Sequence, residues 1–157
     1  MREVLEEQAG KCLLAANKTI ACAESCTGGL LTSRLTDVAG SSAYVLGSIV
    51  SYTNRVKMSH LGVREDTLKH HGAVSQETAR EMSEGVRIRL GADIGLGITG
   101  IAGPGGGTPE KPVGLVYISI AGDKGITVTK NLFSGSRREI KQQTADKALT
   151  MLIEYFE

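Results

Sequence analysis

Between residues 3 and 16 the apolar positions fall at Val4, Leu5, Ala9, Cys12, Leu13 and Ala16, a spacing that predicts a helix. The pattern then changes. A short apolar run from Thr19 to Ala23, bounded by Asn17 and by Gly28-Gly29, predicts a buried strand. Leu30 to Leu35 predicts a helix that ends before Gly40, and Val45, Ile49 and Val50 mark Ala43 to Tyr52 as a second strand. Asn54 is the expected N-cap of a short helix through Leu61, closed by Gly62. Glu65 to His71 predicts another short helix, ended by Gly72. Ser75 then caps a longer one from Gln76 to Leu90, with Gly91 as its stop. Ile94 to Thr99 predicts a strand. After a Gly/Pro loop from Gly100 to Pro112, two strands, Val113 to Ala121 and Ile126 to Phe133, are joined by Gly122-Asp123-Lys124-Gly125, a hairpin signal. Ser136 and Glu139 form a capping box that opens a last helix, running to about Phe156.

Helices alternate with strands, and the late hairpin must be antiparallel. The expected fold is therefore α/β, three layers α/β/α, with a mixed, mostly parallel sheet containing that hairpin. No repeat, linker or low-complexity tail interrupts residues 1–157, so a single domain is expected. With 2 Phe, 4 Tyr and no Trp, the core must be aliphatic, and the 20 glycines must serve turns or close approach to a ligand.

Charge and cysteine usage narrow the function classes. A net charge of +1, from 18 basic and 17 acidic residues, implies no large basic face, so no nucleic-acid partner is expected. No apolar run approaches a membrane span, and the charged, acidic Met1 to Gln8 is unlike a signal peptide. Three cysteines, Cys12, Cys22 and Cys26, without a secretion signal point to reduced thiols and a cytoplasmic location.

Three stretches carry candidate chemistry. Ala23-Glu24-Ser25-Cys26-Thr27-Gly28-Gly29 lies at a strand-to-helix junction, where ligands of open α/β sheets bind. The Ser25 hydroxyl would be exposed there, and the amides near Thr27, Gly28 and Gly29 suit an oxyanion or a phosphate. Taken locally, Ser25 and Thr27 read better as helix caps. In Tyr52-Thr53-Asn54-Arg55-Val56-Lys57, Lys57 falls in the first turns of a helix. The positive end of the helix dipole disfavours an ammonium there, and burial would too. Both push a lysine toward the neutral amine that a general base must be. Taken locally, Lys57 reads better as a solvated helix lysine and Tyr52 as a half-buried aromatic. The third stretch is the loop from Gly100 to Pro112. It matches neither the phosphate-binding loop nor the dinucleotide fingerprint, but its length and three prolines argue for a shaped, functional segment.

Other candidates are weaker. Cys22 and Cys26 lack C-x-x-C spacing and a neighbouring histidine, so no zinc site is expected. His60, His70 and His71 read as surface residues. Arg137, Arg138, Glu139 and Lys141 read as a solvated face, from which Arg137 or Arg138 could reach an anionic substrate.

Taken together, Ala23–Gly29 (AESCTGG), Ala39–Ser42 (AGSS), Tyr52–Lys57 (YTNRVK), Leu61–Val63 (LGV), His71–Ser75 (HGAVS), Gly97–Gly114 (GITGIAGPGGGTPEKPVG) and Phe133–Arg137 (FSGSR) resemble the CinA C-terminal domain family. Stand-alone members of that family are nicotinamide-nucleotide amidases. The resemblance implies hydrolysis of the carboxamide of nicotinamide mononucleotide to nicotinate mononucleotide and ammonia, with the family's serine, tyrosine and lysine falling on Ser25, Tyr52 and Lys57. It implies no metal and no organic cofactor. A Ser–Lys pair agrees with the chemistry, because a serine needs an adjacent base and no histidine lies in a promising motif. Substrate contacts are expected from Thr27, Gly28, Gly29, Gly105, Gly106 and Thr108, with Lys111 as a further phosphate ligand. Larger relatives carry an extra N-terminal domain. The short lead before the first strand is expected to exclude that domain and any activity it brings. A homo-oligomer, dimer or higher, is expected through the hairpin edge or a helix face. Two other readings fit the same residues: a non-catalytic competence- or damage-associated binding protein, and an amidase of a different small carboxamide.

Overall fold

The computed structural model describes residues 3–157. Its elements follow the order α1 (Leu5–Ala16), β1 (Ile20–Glu24), α2 (Leu30–Thr36), a 3-10 turn (Ser41–Ala43), β2 (Val45–Val50), α3 (Asn54–Leu61), α4 (Glu65–His71), α5 (Gln76–Leu90), β3 (Ile94–Gly100), β4 (Leu115–Gly122), β5 (Gly125–Leu132) and α6 (Arg137–Tyr155). One sheet has the strand order β2-β1-β3-β4-β5. β1 pairs in parallel with β2 and β3, while β3–β4 and β4–β5 pair antiparallel. The sheet is mixed and covered on both faces, the α/β architecture that the alternation of elements predicts.

Strand patterning decides which helices pack where. All five residues of β1 are buried. Its Ile20 and Cys22 join Ile94, Leu96 and Ile98 of β3 in a core shared with α1, α2 and α6. Ala21 and Ala23 face the other way, against Leu61, Val63, Met82 and Val86. On that second face β3 alternates with Gly95 and Gly97. A Cβ on Gly97 would stand 2.7 Å from Ala79 O and 2.7 Å from Ser83 N of α5, so these glycines let the helix lie directly on the sheet.

Helix termini follow local signals with small shifts. Ser75 Oγ accepts from Thr78 N at the start of α5, Gly91 ends it at φ 67°, and Ser136 and Glu139 form the full capping box of α6. Thr53, not Asn54, is the N-cap of α3, its side chain accepting from Val56 N. Strand β2 is shorter than Ala43 to Tyr52, because Ala43 lies in the 3-10 turn and Ser51 and Tyr52 have already left the strand.

Candidate active site

The strand order creates the site. Chain connections leave β1 toward β2 and leave β3 toward β4, on the other side. Neighbouring strands whose connections diverge open a crevice at their carboxyl ends, where open α/β sheets bind ligands. Ser25 immediately follows β1, and the Gly/Pro loop follows β3. A cleft of about 300 Å³ lies there, bounded by Ser25, Cys26, Tyr52, Lys57, Thr99 and the loop residues Gly105 and Gly106.

Ser25 is held by its neighbour. Glu24 is fully buried. Its Oε1 accepts from Thr27 Oγ1 (2.6 Å), Gly29 N (3.2 Å) and Leu31 N (3.0 Å), and its Oε2 from Thr32 N (2.9 Å) and Thr32 Oγ1 (2.5 Å). The amides that begin α2 are thus satisfied by one carboxylate, a favourable charge at the positive end of a helix. Ser25 and Thr27 therefore do not cap α2: its N-cap is Gly29, which makes no side-chain cap bond. The turn carrying Ser25 is fixed from below, leaving its hydroxyl free.

Lys57 comes to Ser25 from across the β1–β2 ladder. Ser51 N donates to Glu24 O (2.8 Å), which extends that ladder one step beyond the strands and sets the two carboxyl ends side by side. Thr53 then turns the chain into α3, whose first turn carries Lys57 inward. Lys57 is only 2% exposed. Its Nζ donates to Ser51 O (2.8 Å) and lies 3.2 Å from Ser25 Oγ. Among the described residues no carboxylate pairs with it. Burial pushes the ammonium below its ordinary value of 10.5, an effect larger than the opposing influence of the Cys26 sulfur. As a neutral amine, Lys57 could keep its N–H on the Ser51 carbonyl and turn its lone pair to the serine proton.

Tyr52 stands at the rim, 58% exposed. Its hydroxyl accepts from Arg137 Nη2 (3.1 Å) and, among the described residues, makes no hydrogen bond to Ser25 or Lys57. Arg137 also donates from Nη1 to Gly103 O (2.7 Å), tying the Gly/Pro loop to the Tyr52 wall. The loop is shaped: Gly114 N donates to Ile101 O, Thr108 N to Lys111 O, and Lys111 Nζ to His71 O.

The expected substrate contacts divide. Gly105 and Gly106 border the cleft. Thr27 is buried against Glu24, Gly28 N donates to Ser25 O, and Gly29 N to the Glu24 carboxylate, so these three face away from the cleft. Thr108 is occupied within its own loop, its Oγ1 accepting from Lys111 N. The Cys26 N–H, by contrast, donates to no other residue among those described, and Cys26 lines the cleft. Sequence reading also missed Ser51, whose role rests on a backbone carbonyl that no side-chain pattern marks. It missed Thr99 too, whose Oγ1 donates to Ala73 O (2.7 Å) at the cleft wall. Arg137 was legible as one of two cations able to reach an anionic substrate, and it is the one that borders the cleft. Among the described residues no group of three or more His, Cys, Asp or Glu is placed to hold a metal ion, and no helix is long and apolar enough to cross a membrane.

Comparison with known proteins gives one answer at every level. The model of the CinA C-terminal domain family matches residues 2–156. A CinA-like protein of Thermotoga maritima is 50% identical over 98% of this chain and 37% of its own length. A CinA-like protein of Syntrophomonas wolfei subsp. wolfei is 51% identical over 90% of this chain and 34% of its own. The chain thus spans little more than a third of the curated relatives it matches. Among solved structures, the competence/damage inducible protein CihA from Agrobacterium tumefaciens superposes with a TM-score of 0.94 at 40% identity, covering 100% of both chains.

Proposed function

The chain belongs to the CinA C-terminal domain family, and on that premise we propose that it is an amidohydrolase that deamidates nicotinamide mononucleotide through Ser25 and Lys57. The observation that carries this reading is a buried lysine without an acidic partner, its amine 3.2 Å from a serine hydroxyl at the crevice of an α/β sheet. Lysines are almost never fully buried unless an opposite charge pairs with them.

In the proposed reaction neutral Lys57 takes the Ser25 proton as Oγ bonds to the amide carbon. The carbonyl oxygen becomes an oxyanion, which the Cys26 N–H is proposed to meet. Collapse breaks the carbon–nitrogen bond, and the departing amine receives a proton to leave as ammonia. That proton is the one Lys57 took from Ser25, relayed through the Tyr52 hydroxyl, whose oxygen accepts from Arg137 while its own proton stays available, so that Lys57 and Tyr52 both return to their starting states. A water molecule then attacks the acyl-serine, with Lys57 again as base. Nicotinate mononucleotide is released and the Ser25 hydroxyl is restored. Gly105, Gly106 and Arg137 are proposed to face the nucleotide phosphate across the cleft from Ser25.

The test is ammonia release from nicotinamide mononucleotide. Ser25→Ala and Lys57→Ala are each expected to lower kcat by about 10³-fold or more with the fold intact. Full activity in either variant would remove the role given to that residue. Free nicotinamide, run in parallel, separates a nucleotide-reading amidase from one acting on other carboxamides. A wild-type protein that binds the nucleotide but releases no ammonia would make it a binding protein instead.

A further inference from the structure

Beyond Arg137 lies a second hollow that the proposed reaction does not use. It measures about 400 Å³ and is lined by Leu30 of α2 and by Arg137, Arg138, Lys141 and Gln142 of α6. Arg137 borders both hollows and so forms the wall between them. Lys141 leans across toward the turn after Ser25, its Nζ 3.8 Å from where a Cβ on Gly28 would stand.

The charge here is uncompensated. Among the described residues no carboxylate pairs with Arg137, Arg138 or Lys141. Glu139, the acidic residue between them, is turned back onto Ser136 N in the capping box. Arg137 and Lys141 are four residues apart and Arg138 and Lys141 three, so like charges share one helix face. All three sit in the first turns of a 19-residue helix, where the dipole disfavours cations and favours anions. Water at the exposed Arg137 and Arg138 screens these repulsions without removing them. A bound anion would offset all of them together.

We propose that this hollow binds a phosphate group adjoining the one in the cleft, so that the chain takes up pyrophosphate-bearing ligands as well as the mononucleotide. Two sources share this chemistry: a pyrophosphate-linked dinucleotide that carries nicotinamide, and free pyrophosphate. The inference rests on the reading that the cleft receives a nucleotide, but Arg138 and Lys141 stand outside the catalytic set. Salt weakens such binding, because both side chains are partly in water.

The experiment uses the full chain, as wild type and as the double variant R138E/K141E, with melting curves to verify folding. Binding of inorganic pyrophosphate is measured by calorimetry at low and high salt. Inhibition of mononucleotide turnover by a nicotinamide-containing dinucleotide is measured in parallel. The expected result is pyrophosphate binding that weakens at least tenfold in the double variant, while turnover of the mononucleotide stays within twofold of wild type. Competition by the dinucleotide, lost in the double variant, assigns the group to a linked nucleotide; pyrophosphate binding without it assigns the group to the free anion. Pyrophosphate affinity equal in both proteins, or absent from wild type, would overturn the proposal. So would a KM for the mononucleotide raised tenfold in the double variant, since the hollow would then hold the substrate's own phosphate. Calorimetry reads the site even if no ammonia is released, so the two readings fail separately.

Discussion

Replacing Glu24 by glutamine alters charge but hardly any volume, and its cost follows from the bond list. The carboxylate accepts five hydrogen bonds, three at Oε1 and two at Oε2. Glutamine offers one carbonyl oxygen. Placed at the Oε1 position, it retains Thr27 Oγ1, Gly29 N and Leu31 N, but as bonds to a neutral acceptor. Bonds to charged groups contribute about 1.5–3 kcal/mol and neutral ones about 0.5–1.5, so each of the three weakens by about 1 kcal/mol. The amide nitrogen then faces Thr32 N, donor against donor, and that unsatisfied N–H costs about 1–3 kcal/mol more. The Thr32 hydroxyl can rotate to accept instead. The flipped amide is worse, because three donors would meet the NH₂ group. Glu24→Gln should therefore lose about 4–6 kcal/mol. At about 2–4 °C per kcal/mol for a chain of this size, Tm falls by on the order of 10 °C or more. Ser25 rides on the same turn, so kcat should fall with it. Calorimetric melting at pH 7 and urea titration measure the loss. A variant melting within 2 °C of wild type would show that packing of α2, rather than this carboxylate, holds the turn.

Lys57→Met should abolish ammonia release and raise Tm at neutral pH, since it replaces a buried, unpaired amine with an apolar chain. The lowered Lys57 value means that the unfolded chain binds more protons between that value and 10.5, so wild-type stability gains with rising pH across that window. Melting curves of the methionine variant should lack this gain, and a variant less stable than wild type would refute the burial argument. The wild-type kcat/KM should in turn climb with pH along a limb lying below the ordinary lysine range; a limb at 10.5 would mean an unperturbed Lys57. Gly97→Ala would place its Cβ 2.7 Å from two backbone atoms of α5 and should cost about 1–3 kcal/mol in urea unfolding; a neutral result would show that α5 shifts freely. Burial pushes the Cys26 thiol up to about 12, so iodoacetamide at pH 8 should modify the half-buried Cys12 first, and rapid labelling of Cys26 would contradict its buried placement.

Local chemistry was legible residue by residue. Ser75 and Gly91 bounded α5, Ser136 and Glu139 opened α6, and Gly122 to Gly125 turned the hairpin, because caps and turns answer to hydrogen bonds only a few positions away. The Ser25 and Lys57 stretches were legible as candidates, and the family resemblance joined them. Tertiary structure decided which backbone amides stay free. Gly28 and Gly29 read as oxyanion donors in sequence, yet Ser25 O and the Glu24 carboxylate take them, and nothing in a linear pattern shows that a buried acid will fold back over five to eight positions. Arg137 reached the cleft from 85 positions beyond Tyr52, because α6 packs on the same face of the sheet as α2. Periodicity specifies which face of an element is apolar. The order β2-β1-β3, settled only when every apolar face finds cover, specifies which chain ends meet, and this site is made of chain ends.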